Sequence, residues 1–130
     1  MKQGLRSMPI LPASDMAASV SFFTAKLGFE LAGQWMNDDG SPSFSIVQLG
    51  GVTIGLAASE RAGTGDDWAA YFYLEDIDAF TDQVLGRGVK VLRGPEDSFY
   101  HCREIEIADP HGNRMCFAQD LKPGSDGPGL

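Results

Sequence analysis

The chain is poor in the residue types that most often announce a chemistry. Its 130 residues include two cysteines, two histidines and ten lysines and arginines, against eighteen aspartates and glutamates. Two cysteines, Cys102 and Cys116, are too few for a disulfide scaffold. A formal net charge of −8 leaves no basic face to neutralise phosphates, which excludes an ordinary nucleic-acid binder. An acidic surface instead attracts cationic partners and speeds their encounter. No apolar run approaches the ~20 residues of a membrane span. Lys2 and Arg6 make the start of the chain basic, but Pro9 and Pro12 break the apolar stretch behind them, so a signal-peptide core of about 7–15 apolar residues is missing. The expected compartment is the cytoplasm, and no membrane or nucleic-acid partner is expected.

What is present is an ordinary globular composition, 43% hydrophobic and 22% charged, with 16 glycines that punctuate it. Met8 to Pro12 is a short apolar segment with a proline near each end, which predicts an edge strand. Ser14 and Asp15 are helix N-cap candidates. Met16, Val20, Phe23 and Leu27 then recur on one helical face, and Gly28 closes the helix. Strands are predicted over 29–36, 44–49 and 52–57, the last two joined at Gly50-Gly51. Residues 59–67 are polar and glycine-containing and predict a linker. The order then begins again: a strand over 68–74, a helix from Asp76 on Ile77, Phe80, Val84 and Leu85, a stop at Gly88, a strand over 89–92, a loop over 93–98, and two strands, 102–108 and 115–119, around Asp109-Pro110-His111-Gly112-Asn113.

This internal repeat is the most informative feature. Asp15 to Gly28 spans 13 positions and Asp76 to Gly88 spans 12. The chain therefore predicts an α+β fold of two βαβββ modules, about 7–58 and 68–119, in a single domain over 1–120 with curved mixed sheets around a cleft. The remaining 121–130 segment predicts a loose tail. One module of this size cannot cover its own helix and sheet well, whereas two can.

The segments Leu11-Pro12-Ala13-Ser14-Asp15-Met16, Phe22-Phe23 with Leu27-Gly28-Phe29, and Asp109-Pro110-His111-Gly112-Asn113 resemble the vicinal oxygen chelate superfamily of glyoxalases, extradiol dioxygenases and bleomycin-resistance proteins. The likeness covers about Met8 to Gln119. It implies four inward positions, two per module, that in the enzymes carry His, Gln or Glu around one divalent ion. Aligned on the flanking motifs, those positions are Met8, Gly55, Ala69 and Cys116. Gly55 and Ala69 offer no ligating atom, and the Met8 thioether is unsuited to Mn, Fe or Ni. Cys116 alone could ligate, as a thiolate. The neighbours Ile54, Leu56, Ala70, Met115 and Phe117 are no better.

The metal-free, drug-sequestering branch is the closer resemblance, through Phe44 to Ile54 and through Arg103-Glu104. That branch implies a homodimer that binds cationic drugs in aromatic clefts at the subunit interface, with no cofactor and no catalytic residue. Where the branch tends to have Trp-Gly just before Arg103, this chain has His101-Cys102, with Tyr100 beside them. A metal-dependent lyase or dioxygenase of the same superfamily is the alternative, and a metabolite-sensing domain a third.

The ligand-binding residues expected on this basis are Trp35, Phe44, Tyr71, Tyr73, Tyr100, His101, Glu106 and Cys116. Strand alternation from Trp68 places Trp68, Ala70, Phe72 and Leu74 on one face and Ala69, Tyr71 and Tyr73 on the cleft face. Glu104 and Glu106 share a face, and pairing the hairpin about His111 sets Glu106 opposite Cys116. An inward Glu106 among aromatic rings would receive a cation. Cys102 then lies four residues from Cys116, ~13 Å along the strand and too far for a disulfide. His101 and Cys102, being adjacent, point to opposite faces and make no nucleophile–base pair. His111 is expected to be a solvated turn residue.

Overall fold

The structure, a computed structural model, describes residues 2–124. It contains two four-stranded sheets of identical topology. In the first, β1 (Ile10–Ala13), β2 (Glu30–Met36), β3 (Pro42–Leu49) and β4 (Val52–Ala58) are ordered β1-β4-β3-β2. In the second, β5 (Trp68–Tyr73), β6 (Arg93–Asp97), β7 (Cys102–Ala108) and β8 (Arg114–Asp120) are ordered β5-β8-β7-β6. The first strand of each module runs parallel to the last, and every other pairing is antiparallel. Pro12 is tolerated within β1 because β1 is an edge strand.

Each module holds one helix on one face of its sheet. α1 (Met16–Ser21) begins at Asp15, whose carboxylate accepts the Ala18 N–H at 3.0 Å, and it continues over Phe22–Lys26 as a wider π-type turn. α2 (Ile77–Gly86) begins at Asp76, whose carboxylate accepts from Ala79 N–H at the same 3.0 Å. Gly28 and Gly88 both sit at φ 81°, the left-handed conformation that ends a helix with little strain in glycine. Met16, Phe23, Val47, Ile54 and Leu56 of the first module and Phe72, Ile77, Phe80, Val84, Ile105 and Phe117 of the second belong to one buried hydrophobic cluster. Phe117 is the hub of the second half, with ring centroids 5.3 Å from Phe72 and 5.1 Å from Phe80. The opposite, helix-free face of each sheet is left open.

Two predicted elements move. Residues 89–92 do not form the edge strand; it runs over Arg93–Asp97, where composition predicted a loop. Gly94-Pro95 is accommodated there because β6 is an edge strand with a register break between Arg93 and Glu96. Within the tail, Leu121 N–H bonds to the His101 carbonyl at 2.9 Å, and residues 125–130 lie outside the described residues.

The two modules share one buried hydrophobic cluster, and a polar joint ties them as well. His111 is not a solvated turn residue. Its Nδ1 accepts the Ser14 N–H at 3.1 Å, so Nε2 carries the ring proton, and Nε2 faces the Arg61 carbonyl. The amide of buried Asn113 donates to the Pro12 carbonyl at 2.9 Å and to Asp109 at 2.8 Å. The helix ends are capped reciprocally: Lys26 Nζ donates to the Arg87 carbonyl at 2.9 Å, and Arg87 donates to the Lys26 carbonyl at 3.4 Å.

Candidate functional site

The open face of the second sheet carries the candidate site. Alternation along β5 points Tyr71 and Tyr73 to this face, opposite Phe72. Their ring centroids are 5.2 Å apart. Trp68 joins them, 5.3 Å from Tyr71. This corrects the strict alternation that put Trp68 on the helix side: a register shift between Trp68 and Ala70 turns the start of the strand over. Tyr100 arrives from the β6–β7 loop. The four rings of Trp68, Tyr71, Tyr73 and Tyr100 wall a hollow of about 540 Å³, within the range of small-molecule pockets. Trp68 and Tyr73 remain 44% and 42% exposed, so a guest could still cover them.

Behind the rings lies a charged network. Glu104, 2% exposed, accepts from the Tyr71 hydroxyl at 2.6 Å and from the Tyr100 hydroxyl, both on Oε2, while its Oε1 takes Arg93 Nη2 at 2.9 Å. The same Arg93 reaches Glu106 through Nε and Glu96 through Nη1. Arg114 Nη1 contacts the other Glu106 oxygen at 3.3 Å. Burial disfavours ionisation of Glu104, but hydrogen bonds from Tyr100, Tyr71 and Arg93 outweigh it and hold the carboxyl below its ordinary range. Burial, reinforced by Cys102 and then Glu104, pushes the Tyr71 phenol far up. Burial and then Glu104 push Tyr100 up to about 12. Cys116, opposite both Glu106 and Tyr71, is driven up to about 12 by burial and then by the Glu104 charge. At neutral pH the floor is thus a fixed arrangement of ionised Glu104 and Arg93 with protonated phenols and thiol.

The expected residues divide into three groups. Tyr71, Tyr73, Tyr100, Glu106 and Cys116 come together on this one face. Glu106 is inward as expected, but it is no open cation receptor, because Arg93 and Arg114 already occupy both oxygens. Trp35 and Phe44 form their own pair, 5.8 Å apart, on the open face of the first sheet and do not line the hollow. His101 is exposed in the β6–β7 loop at φ 66° and does not line it either. Sequence reasoning missed Trp68, Arg93 and Glu104 as members. Only Glu104 carried a signal, its i, i+2 spacing from Glu106.

The four superfamily metal positions do not fit a divalent ion. At Gly55 the space of a side chain is already filled, with Ile10 Cδ1 2.6 Å and Phe44 Cζ 2.7 Å from where a Cβ would stand. Ala69 brings no donor, Met8 only a thioether, and Cys116 a buried, protonated thiol. A larger cavity of about 710 Å³ opens between the Gly50-Gly51 turn and the β5–α2 junction, but its charged lining, Glu75 and Asp76, is solvent-exposed. The smaller hollow is the better candidate because buried ionisable groups converge behind it.

The family model described as the Glyoxalase/Bleomycin resistance protein/Dioxygenase superfamily matches residues 7–117. The chain belongs to that superfamily. It is 27% identical over 120 residues to the mycobacterial protein named "Putative glyoxylase CFP32" in Mycobacterium bovis and Mycobacterium tuberculosis, across 85% of this chain and 44% of that one. The chain thus spans less than half the length of the curated relatives it matches. Among solved structures it is similar to TioX from Micromonospora sp. ML1, with a TM-score of 0.75 at 16% identity, over 91% of this chain and 100% of that one. It is also similar to TnmS3, an antibiotic binding protein from Streptomyces sp. CB03234, with a TM-score of 0.74 at 22% identity, over 92% of this chain and 98% of that one. A superfamily protein from Alicyclobacillus acidocaldarius gives a TM-score of 0.76 at 17% identity, over 94% and 96%. At these identities the likeness establishes the glyoxalase/bleomycin-resistance fold. Among the described residues no helix is long and apolar enough to cross a membrane.

Proposed function

We propose that this superfamily member is a non-catalytic binding protein of the bleomycin-resistance type, holding a flat aromatic small molecule in the Trp68–Tyr71–Tyr73–Tyr100 hollow. The carrying observation is the pairing of four converging rings with a floor whose ionisable groups are committed to each other. Such a floor supplies packing and hydrogen bonds but no free base and no activated nucleophile. The guest is therefore confined rather than converted, and drug resistance by stoichiometric capture is the biological form this takes. The similarity to a protein described as antibiotic binding supports the reading. A net charge of −8 draws cationic guests towards the protein at long range, although ring stacking holds them.

The hollow is open on one side, and the first sheet exposes a complementary surface in Trp35 and Met36, 52% and 58% exposed. In the proposed homodimer the first sheet of one copy covers the second sheet of the other, bringing Trp35 and Phe44 to the guest. The cytoplasm is the proposed compartment. The experiment is a thermal-shift screen of flat aromatic and cationic antibiotics, with quenching of Trp68 fluorescence as the second readout. A ligand at 100 times its dissociation constant adds about 2.7 kcal/mol of stability. No shift with any aromatic compound, together with one metal ion per chain in the purified protein, would favour the glyoxalase-type enzyme to which the mycobacterial name points.

A further inference from the structure

The aromatic hollow has a hydrogen-bond polarity, and Glu104 sets it. A phenol has a single proton to donate. Tyr71 gives its proton to Glu104 Oε2 at 2.6 Å, and Tyr100 gives its own to the same oxygen. Neither hydroxyl has a proton left for a guest, so whatever capacity remains on the two oxygens is acceptor. The arrangement cannot turn round while Glu104 is ionised, because an ionised carboxylate only accepts. Its other oxygen is pinned by Arg93 Nη2 at 2.9 Å, and Arg93 is itself fixed by Glu96 and Glu106. Cys102 beside Tyr71 and Ser98 beside Tyr100 do not change this count, because each phenol's one proton is already given to Glu104.

We infer that Glu104 is a positioning residue that makes the Tyr71–Tyr100 edge of the hollow select flat aromatic guests bearing hydrogen-bond donors, phenolic O–H or N–H, over analogues whose same edge can only accept. This rests on the capture function proposed above and specifies the chemistry of its ligand. An acceptor brought to this edge meets oxygen lone pairs with no intervening proton. It is repelled, and it loses its water besides. The selection is charge-assisted, since the carboxylate polarises both O–H bonds and makes each phenol oxygen a stronger acceptor.

The test uses matched pairs that differ only in that proton: 2-naphthol and 2-hydroxyanthracene against their methyl ethers, titrated calorimetrically into the full chain. The expected result is tighter binding of each phenol by about 3- to 10-fold, the range of one net hydrogen bond at a partly open site. In Glu104→Gln, Arg93 still demands an acceptor, so the new side-chain carbonyl faces Arg93 and its NH₂ faces the phenols. Tyr71 and Tyr100 must then turn their protons outward, where a phenol oxygen and an ether oxygen accept alike, and the phenol-to-ether ratio should fall to about 1. Ultraviolet titration of the phenols should move to lower pH in the same variant while its melting temperature stays near the parent's, which separates loss of the Glu104 charge from loss of burial. Should Glu104→Gln fail to fold, the Tyr71→Phe/Tyr100→Phe variant keeps the rings, and its phenol-to-ether ratio should fall to about 1. Equal binding of phenol and ether by the unaltered protein would overturn the selectivity while leaving aromatic capture standing. Binding of neither, for both ring sizes, would overturn the capture reading and this inference with it.

Discussion

Replacing Arg93 with methionine tests the electrostatic frame of the site most directly. Arg93 contacts Glu96, Glu104 and Glu106, and the last two have side chains only 2% and 8% exposed. Breaking a buried pair from one side leaves an uncompensated charge and costs about 3–5 kcal/mol. Arg93 is itself 32% exposed and Glu106 keeps Arg114, so solvent and the second arginine temper the loss and place it near the lower end, about 3 kcal/mol. With an unfolding entropy of ~2.1 cal/mol/K per residue, that corresponds to a fall in Tm of ~11 °C for a chain of this length. The pH dependence gives the sign. Glu104 is held below its ordinary value of 4.5, so its stabilising contribution is present above that pH and is lost as pH falls through the lowered folded value. The gap between the parent protein and Arg93→Met, measured by calorimetry or circular dichroism, should therefore be widest near pH 7 and close as pH falls through the lowered Glu104 value. Adding Glu104→Gln to Arg93→Met should restore part of the loss. A variant that melts within about 2–3 °C of the parent at pH 7, or a gap indifferent to pH, would mean that the network is no electrostatic unit.

Other consequences are open to measurement. Trp68→Ala removes one wall of the hollow and should weaken an identified aromatic ligand about tenfold, read by calorimetry, while Tm changes little because Trp68 is already 44% exposed. Asn113→Ala takes the side-chain amide donor from the Pro12 carbonyl and from Asp109 Oδ2, which should lower stability by about 1–3 kcal/mol and speed proteolysis within residues 59–67; unchanged melting and cleavage would remove Asn113 from the joint. Cys116, buried and with its thiol pushed up to about 12, should react with Ellman's reagent only on unfolding, and stoichiometric labelling of the native protein within minutes would contradict its placement on the floor.

Much of the fold was legible because its signals are local. Asp15 and Asp76 cap their helices, and Gly28 and Gly88 end them through the left-handed turns that glycine permits. The pairing of Glu106 with Cys116 came from centring the last hairpin at His111. The site was legible only in part. Tyr71 and Tyr73 obey strand alternation, but one register shift beside Trp68 reverses that residue's face, and a shift of this kind leaves no mark in composition. Gly94-Pro95 disguised β6 as a loop, and with it Arg93, so the partner that closes Glu106 to cations was hidden. His111 looked solvated because the groups that hold it come from Ser14, 97 positions away, and Arg61, 50 positions away. No local pattern reports such contacts.

Lys26 and Arg87 make each module depend on the other. Each helix terminus borrows its capping cation from the other half, and the Asp109–Asn113 turn is anchored on a carbonyl of the first strand. A gene divided within residues 59–67 would yield two fragments that are each topologically whole and chemically unfinished, with frayed helix ends while separate and a reason to recombine once mixed.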